Sequence, residues 1–154
     1  MPGPRRLPSR SELDVWRDFI ETTEVLRTQI GGRLQHDTGL STGDYSVLLA
    51  LSEAPDRRLR SSELAAGVGW ERSRLSHHLA RMERRDLITR EGHATDSRGA
   101  VVVLAPAGAA AFQAATVPHL RAVRELFVDA LTPAQLAAAG EIATALRRHL
   151  DSSA

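Results

Sequence analysis

The sequence predicts a mainly α fold with a small β-hairpin, and three observations carry that reading. The stretch "SSELAAGVGWERSRLSHHLARMERR" reads as two short helices around a glycine-containing turn, the second basic on one side. "LITRE" and "AVVVL" follow as two β-branched runs joined by a polar loop with a glycine at each end. Before and after this block, apolar residues return at helical spacings. A helix–turn–helix followed directly by a β-hairpin is the winged form of that motif, flanked here by terminal helices. The expected segments are 1–10 as a flexible arm, 11–38 as an N-terminal helix, 40–104 as the winged helix–turn–helix and 105–150 as C-terminal helices.

Each element has its own signal. Leu13, Trp16, Ile20, Leu26, Ile30 and Leu34 fall at helical spacings, with Ser11 as the expected cap and Gly39 closing the turn. A second helix opens at "STGDYSVLLALSEAP", where Ser41 and Asp44 stand in capping-box spacing and Pro55 ends the helix. Val47, Leu48 and Leu51 form its buried face. Ser61 is the expected cap of the next helix, which buries Leu64, Ala65 and Val68, and Gly67 and Gly69 permit a tight turn. The following helix, about residues 71–85, places Leu75, Leu79 and Met82 on one apolar stripe. At about 100° per residue, Ser73, His77, Ala80 and Arg84 then face solvent, flanked by Arg74, Ser76 and Arg81. Past Pro106 the chain is alanine-rich and helical. It breaks at "LTPAQ", where Thr132 caps, Pro133 starts and Gln135 completes a capping box for the last helix.

Composition narrows the functional classes. The chain has 154 residues, 42% hydrophobic and 25% charged, which is ordinary for a globular domain. Its apolar runs are too short to span a membrane, and "MPGPRRLPSR" lacks the apolar core of a signal peptide, so a cytoplasmic protein is expected. With no cysteine, disulfides and cysteine-based zinc or redox sites are excluded. The formal net charge of +1 hides an asymmetry: residues 57–98 hold 10 arginines against 6 acids, and the remainder is net acidic. All 20 basic residues are arginine. Arginine suits bidentate contacts to phosphate and guanine, although codon bias explains the lack of lysine more simply.

The basic helix face therefore points to double-stranded DNA. Arginine can pair with guanine edges or clamp phosphates, and serine and histidine offer short hydrogen-bonding groups in the major groove. An arginine on the wing, Arg98, suits the narrow minor groove.

The stretch from Ser61 to Leu104 resembles the winged helix–turn–helix of MarR-type bacterial regulators. The resemblance rests on the "ELA" of the supporting helix, the S-x-L-S-x-x-L run, the exit "ERRDLITR" and the wing D-x-R at Asp96 to Arg98. "LSTGDYSVLLAL" matches the family's second helix, and the resemblance extends over about residues 11–150. Two positions depart from the pattern. Asp86 stands where the family has glycine, and Ala105 replaces a capping threonine before Pro106, at a cost of about 1 kcal/mol.

The resemblance implies Arg72, Ser73, Arg74, Ser76 and His77 at the major groove. Ser61, Arg81 and Arg84 complete the expected DNA-binding set. Arg98 would enter the minor groove, oriented by Asp96. The resemblance also implies a homodimer built from the terminal helices, binding a pseudo-palindromic operator, most simply as a repressor. A small anionic or aromatic effector is the family's usual release signal, with Trp16, Phe19 and Tyr45 as the residues expected to line its space. Core packing is the competing reading for these three. A urate-type ligand is disfavoured by Ser46, which aligns with an aspartate in urate-responsive relatives.

Rival classes are weaker. His77 and His78 are adjacent on a helix, point about 100° apart and do not chelate one ion. A metal-sensing regulator on the same fold, gathering His36 with His119, is the first alternative. A winged-helix protein-interaction module is the second. No cofactor is expected. An enzyme is not expected either: "RLSHHL" is no nucleophile elbow, and there is no phosphate-binding glycine loop. His78 is expected to be half-buried beside Leu75 and Leu79.

Overall fold

The structure is a computed structural model that describes residues 6–92 and 99–152. Six helices and three strands follow one another: α1 (Arg10–Thr38), α2 (Thr42–Glu53), β1 (Arg58–Arg60), α3 (Ser61–Val68), α4 (Arg72–Glu83), β2 (Ile88–Glu91), β3 (Val101–Leu104), α5 (Pro106–Val123) and α6 (Pro133–Asp151). The chain divides into two compact units, one from Gly31 to Ala122 and the other from the residues before and after that span.

The larger unit holds the core. Leu34, Leu40, Val47, Leu48, Leu51, Leu64, Leu75, Leu79, Met82, Ile88 and Val102 are all fully buried. The α2 helix begins with the expected capping box: Ser41 Oγ accepts from Asp44 N at 3.0 Å, and Asp44 Oδ2 accepts from Ser41 N at 3.0 Å. It ends at Glu53 before Pro55, whose ring cannot continue the helix. The α3 helix ends at Gly69, whose φ of 70° lies in the left-handed region.

The expected hairpin is present as β2 and β3, and β1 extends it beyond expectation. The sheet has three antiparallel strands in the order β1-β3-β2, with Leu59 and Arg90 both opposite Val102. Pairing β3 on both edges leaves Val102 fully buried. Two caps also differ from expectation. Ser9 rather than Ser11 caps α1, accepting from Glu12 N at 3.3 Å. Ser61 is the first residue of α3 and does not cap it; instead Glu63 Oε2 accepts from Arg60 N at 2.9 Å. Asp86 adopts a φ of 57°, the left-handed conformation a glycine would take there. Gly108 brings α5 so close to the strand entry that a Cβ would lie 1.9 Å from the Leu87 carbonyl oxygen. Ala105, just before α5, lacks a capping side chain, and its amide donates to Leu87 O at 3.2 Å.

The smaller unit is helical. In α6, Thr132 Oγ1 accepts from Gln135 N at 3.2 Å and Gln135 Oε1 accepts from Thr132 N at 2.9 Å, with Pro133 in the first turn. No residue of α6 is buried, although Leu136, Ile142, Leu146 and Leu150 recur along it. A single turn of π-helix, Arg124–Val128, precedes it, and Pro118 sits within α5.

Candidate nucleic-acid interface

The α4 helix is divided lengthwise. Leu75, His78, Leu79 and Met82 are buried, whereas Arg72, Ser73, Arg74, Ser76, His77, Arg81 and Arg84 are exposed. Seven of the ten sequence-predicted DNA residues thus share one exposed helix and its C-terminal cap. Ser61 is part-buried; its amide donates to Ala100 O at 2.9 Å, and Gly99 packs against its hydroxyl. Asp96 and Arg98 lie outside the described residues.

His78 is more buried than expected, at 9% exposure, and it has partners. Its Nε2 lies 2.9 Å from Asp44 Oδ1, and its Nδ1 lies 3.0 Å from Arg81 Nη2. A guanidinium can only donate, so Nδ1 accepts, while Nε2 faces Asp44 at ion-pair distance without the alignment of a hydrogen bond. Trp70 meets the His78 ring edge-on, with centroids 5.0 Å apart. On the same indole lies the Arg74 guanidinium, 4.4 Å from the ring centroid.

Asp44 is the hub of this contact set, 3% exposed at the start of α2. Arg85 Nη1 donates to its Oδ2 at 2.7 Å, and Arg85 Nη2 donates to Gly39 O at 3.0 Å. Burial opposes ionisation of Asp44, but His78, Arg85 and the Ser41 amide outweigh it and hold the carboxyl well below the usual carboxylate range. Sequence reasoning missed Asp44, Trp70 and Arg85 as a group. The available signal was local: Asp44 in capping-box spacing, and His78 in phase with the apolar stripe.

The base of the wing is fastened by two ion pairs. Arg90 donates to Glu83 Oε2 through Nε at 3.0 Å and Nη2 at 2.7 Å, which together with its Coulomb field depresses the Glu83 pKa against a smaller desolvation effect. Arg58 pairs with Glu91 across the sheet. Both acids belong to the six that stand against the ten arginines of residues 57–98.

The expected effector residues fall in two units. Trp16 and Phe19 belong to the smaller one and are 60% and 44% exposed. Tyr45 is part-buried in the larger one, its ring 5.1 Å from Phe112 and 4.4 Å from His119. Burial lowers the His119 pKa, and its Nδ1 has no hydrogen-bond partner. His36 pairs with Asp37 at 2.9 Å. Among the described residues, no three His, Asp or Glu side chains gather closely enough to hold a metal ion, and no helix is long and apolar enough to cross a membrane.

A helix–turn–helix whose second helix is half core and half exposed arginine, followed by a small sheet, defines a winged helix–turn–helix protein. The MarR family model matches residues 38–99. AbsC, a MarR family transcriptional regulator from Streptomyces coelicolor, is 33% identical with a TM-score of 0.84, over 96% of this chain and 99% of that one. Sco3205, a MarR family transcriptional regulator of the same organism solved in complex with DNA, is 36% identical with a TM-score of 0.87, over 96% and 92%. A mutant of MarR from E. coli, solved with operator DNA, shares the fold at 19% identity and a TM-score of 0.72, over 86% and 93%. No curated protein matches the sequence. The chain belongs to the MarR family of transcriptional regulators.

Proposed function

We propose that this protein is a homodimeric, sequence-specific DNA-binding regulator that represses transcription from a pseudo-palindromic operator near its own gene. The observation that carries this reading is the exposed surface of α4 and its C-cap, where four arginines, two serines and His77 stand away from the buried Leu75–Leu79–Met82 stripe. A rigid helix with such a face fits the major groove, where arginine pairs with guanine or phosphate. That Sco3205 was solved in complex with DNA supports the same reading for this chain.

In this proposal Arg72, Ser73, Arg74, Ser76 and His77 meet the groove, and Arg81, Arg84 and Ser61 meet the flanking backbone. Arg98 and Asp96 enter on their sequence positions alone, as the minor-groove arginine and its orienting acid. The dimer is formed by the terminal helices, whose exposed Leu13, Trp16, Ile20, Ile142, Leu146 and Leu150 need a cover that a second copy supplies. A small anionic or aromatic effector releases the DNA.

Footprinting the DNA upstream of its own gene, followed by titration across salt, tests the reading. A protected two-fold site is expected, with affinity falling steeply as salt rises. Absence of binding at any salt overturns it. Arg98→Ala should weaken binding without lowering stability; an unchanged affinity removes the wing arginine from the interface.

A further inference from the structure

Four polar side chains form a stripe beside the apolar one on α4 and just beyond it: Arg74, His78, Arg81 and Arg85, spaced by four, three and four residues. Such spacing keeps them along one edge of a helix. Below that edge lie Trp70 from the turn and Asp44 from α2. The turn ring carries Arg74 on its face, and the histidine carries Arg81 on its Nδ1. Gly43 completes the seat, since a Cβ there would lie 2.8 Å from His78 Cε1 and 2.9 Å from Trp70 Cη2. The α2 backbone thus closes directly onto both rings.

We propose that Trp70 and His78 are positioning residues for DNA recognition, holding the guanidinium groups of Arg74 and Arg81 at the exposed edge of α4, with Asp44 fixing the His78 ring. This inference rests on the DNA-binding reading above and names how that surface is prepared. The cation–π contact with Trp70 uses the charge of the Arg74 guanidinium rather than a hydrogen bond, so its N–H donors stay available for guanine or phosphate. Arg81 spends one donor on His78 and keeps the rest. Holding a long side chain in place before contact removes an ordering cost that binding otherwise bears.

Positioning and sequestration differ in the sign of their effect on binding. If Trp70 and His78 instead withheld the two arginines from DNA, their removal would tighten binding. Positioning requires the opposite sign.

The test is a pair of double-mutant cycles in the full-length protein, read on the footprinted duplex and on a scrambled duplex of equal length. Trp70→Leu and His78→Leu are each expected to weaken operator binding about two- to tenfold, the range for freeing one rotamer-rich side chain. In an Arg74→Ala background, Trp70→Leu should cost little more; in an Arg81→Ala background, the same holds for His78→Leu. A merely structural role gives losses that add in full, and that result overturns the proposal. Trp70→Phe keeps a ring under Arg74 and should restore most of the affinity, which keeps the test sound if Trp70→Leu folds poorly. Tighter binding by either leucine variant overturns the proposal as well. If Arg74→Ala and Arg81→Ala bind like the parent, the proposal falls while the DNA-binding reading stands. If the parent binds neither duplex, both fall.

Discussion

Asp44 shows how one carboxylate serves two separate segments of the chain at once. It closes the capping box of α2 and receives Arg85 and His78 from the far side of the helix–turn–helix. Its pKa is depressed in the folded state, so its contribution to stability is fully present above the ordinary carboxylate range and is lost as pH falls below it. Asp44→Asn keeps the shape and removes the charge. The expected loss is about 1–3 kcal/mol at neutral pH, because the half-exposed Arg85 can turn to water. Urea unfolding of parent and variant between about pH 5 and pH 3 checks it. Parallel pH profiles would show that the Asp44 charge does not couple to folding. His78 was legible as an inward residue because its phase on the helix says so, whereas its partner was not. Asp44 stands 34 positions earlier with a complete local explanation, and nothing in a single sequence announces a second duty.

Among the elements, the helices were readable and the edge strand was not. Ser41 with Asp44 and Thr132 with Gln135 placed two helix starts, because capping is chemistry between residues three apart. The three residues of β1 are too short for any period, and only pairing with β3 makes them a strand. The approach of α5 to Leu87 was equally hidden, since Gly108 lies inside an alanine-rich helical run. That contact gives a prediction at this scale. In Gly108→Ala the new methyl group meets a backbone oxygen that cannot rotate away, so α5 must shift. A loss of about 2–3 kcal/mol is expected in thermal or urea unfolding, with the helical circular dichroism of the folded state retained. A variant as stable as the parent would mean that α5 moves freely over the strand entry.

For the molecule as a whole, the unpaired surface of the terminal helices governs behaviour. None of the 19 residues of α6 is buried, whereas most helical stability comes from packing an apolar face. Under the proposed dimer, Ile142→Glu with Leu146→Glu should shift the protein toward monomer at micromolar concentration in analytical ultracentrifugation. Operator affinity should fall with it, because two half-sites are no longer joined. An unchanged sedimentation profile would place the interface elsewhere. The apolar pattern of these helices was legible from spacing, and so was the arginine excess of residues 57–98. The excess already sets Glu91 and Glu83 against Arg58 and Arg90; what it misses is Arg85, held by Asp44 from outside that stretch.

The ring beneath Arg74 has one more use. The chain has two tryptophans, Trp16 in the terminal helix and Trp70 in the turn. Trp70 lies against the Arg74 guanidinium and the His78 imidazole, so its excited state is sensitive to how these two side chains of α4 are arranged. With Trp16 replaced by phenylalanine, the protein would carry a single built-in fluorophore at that position, and its emission would follow the docking of α4 without any attached dye.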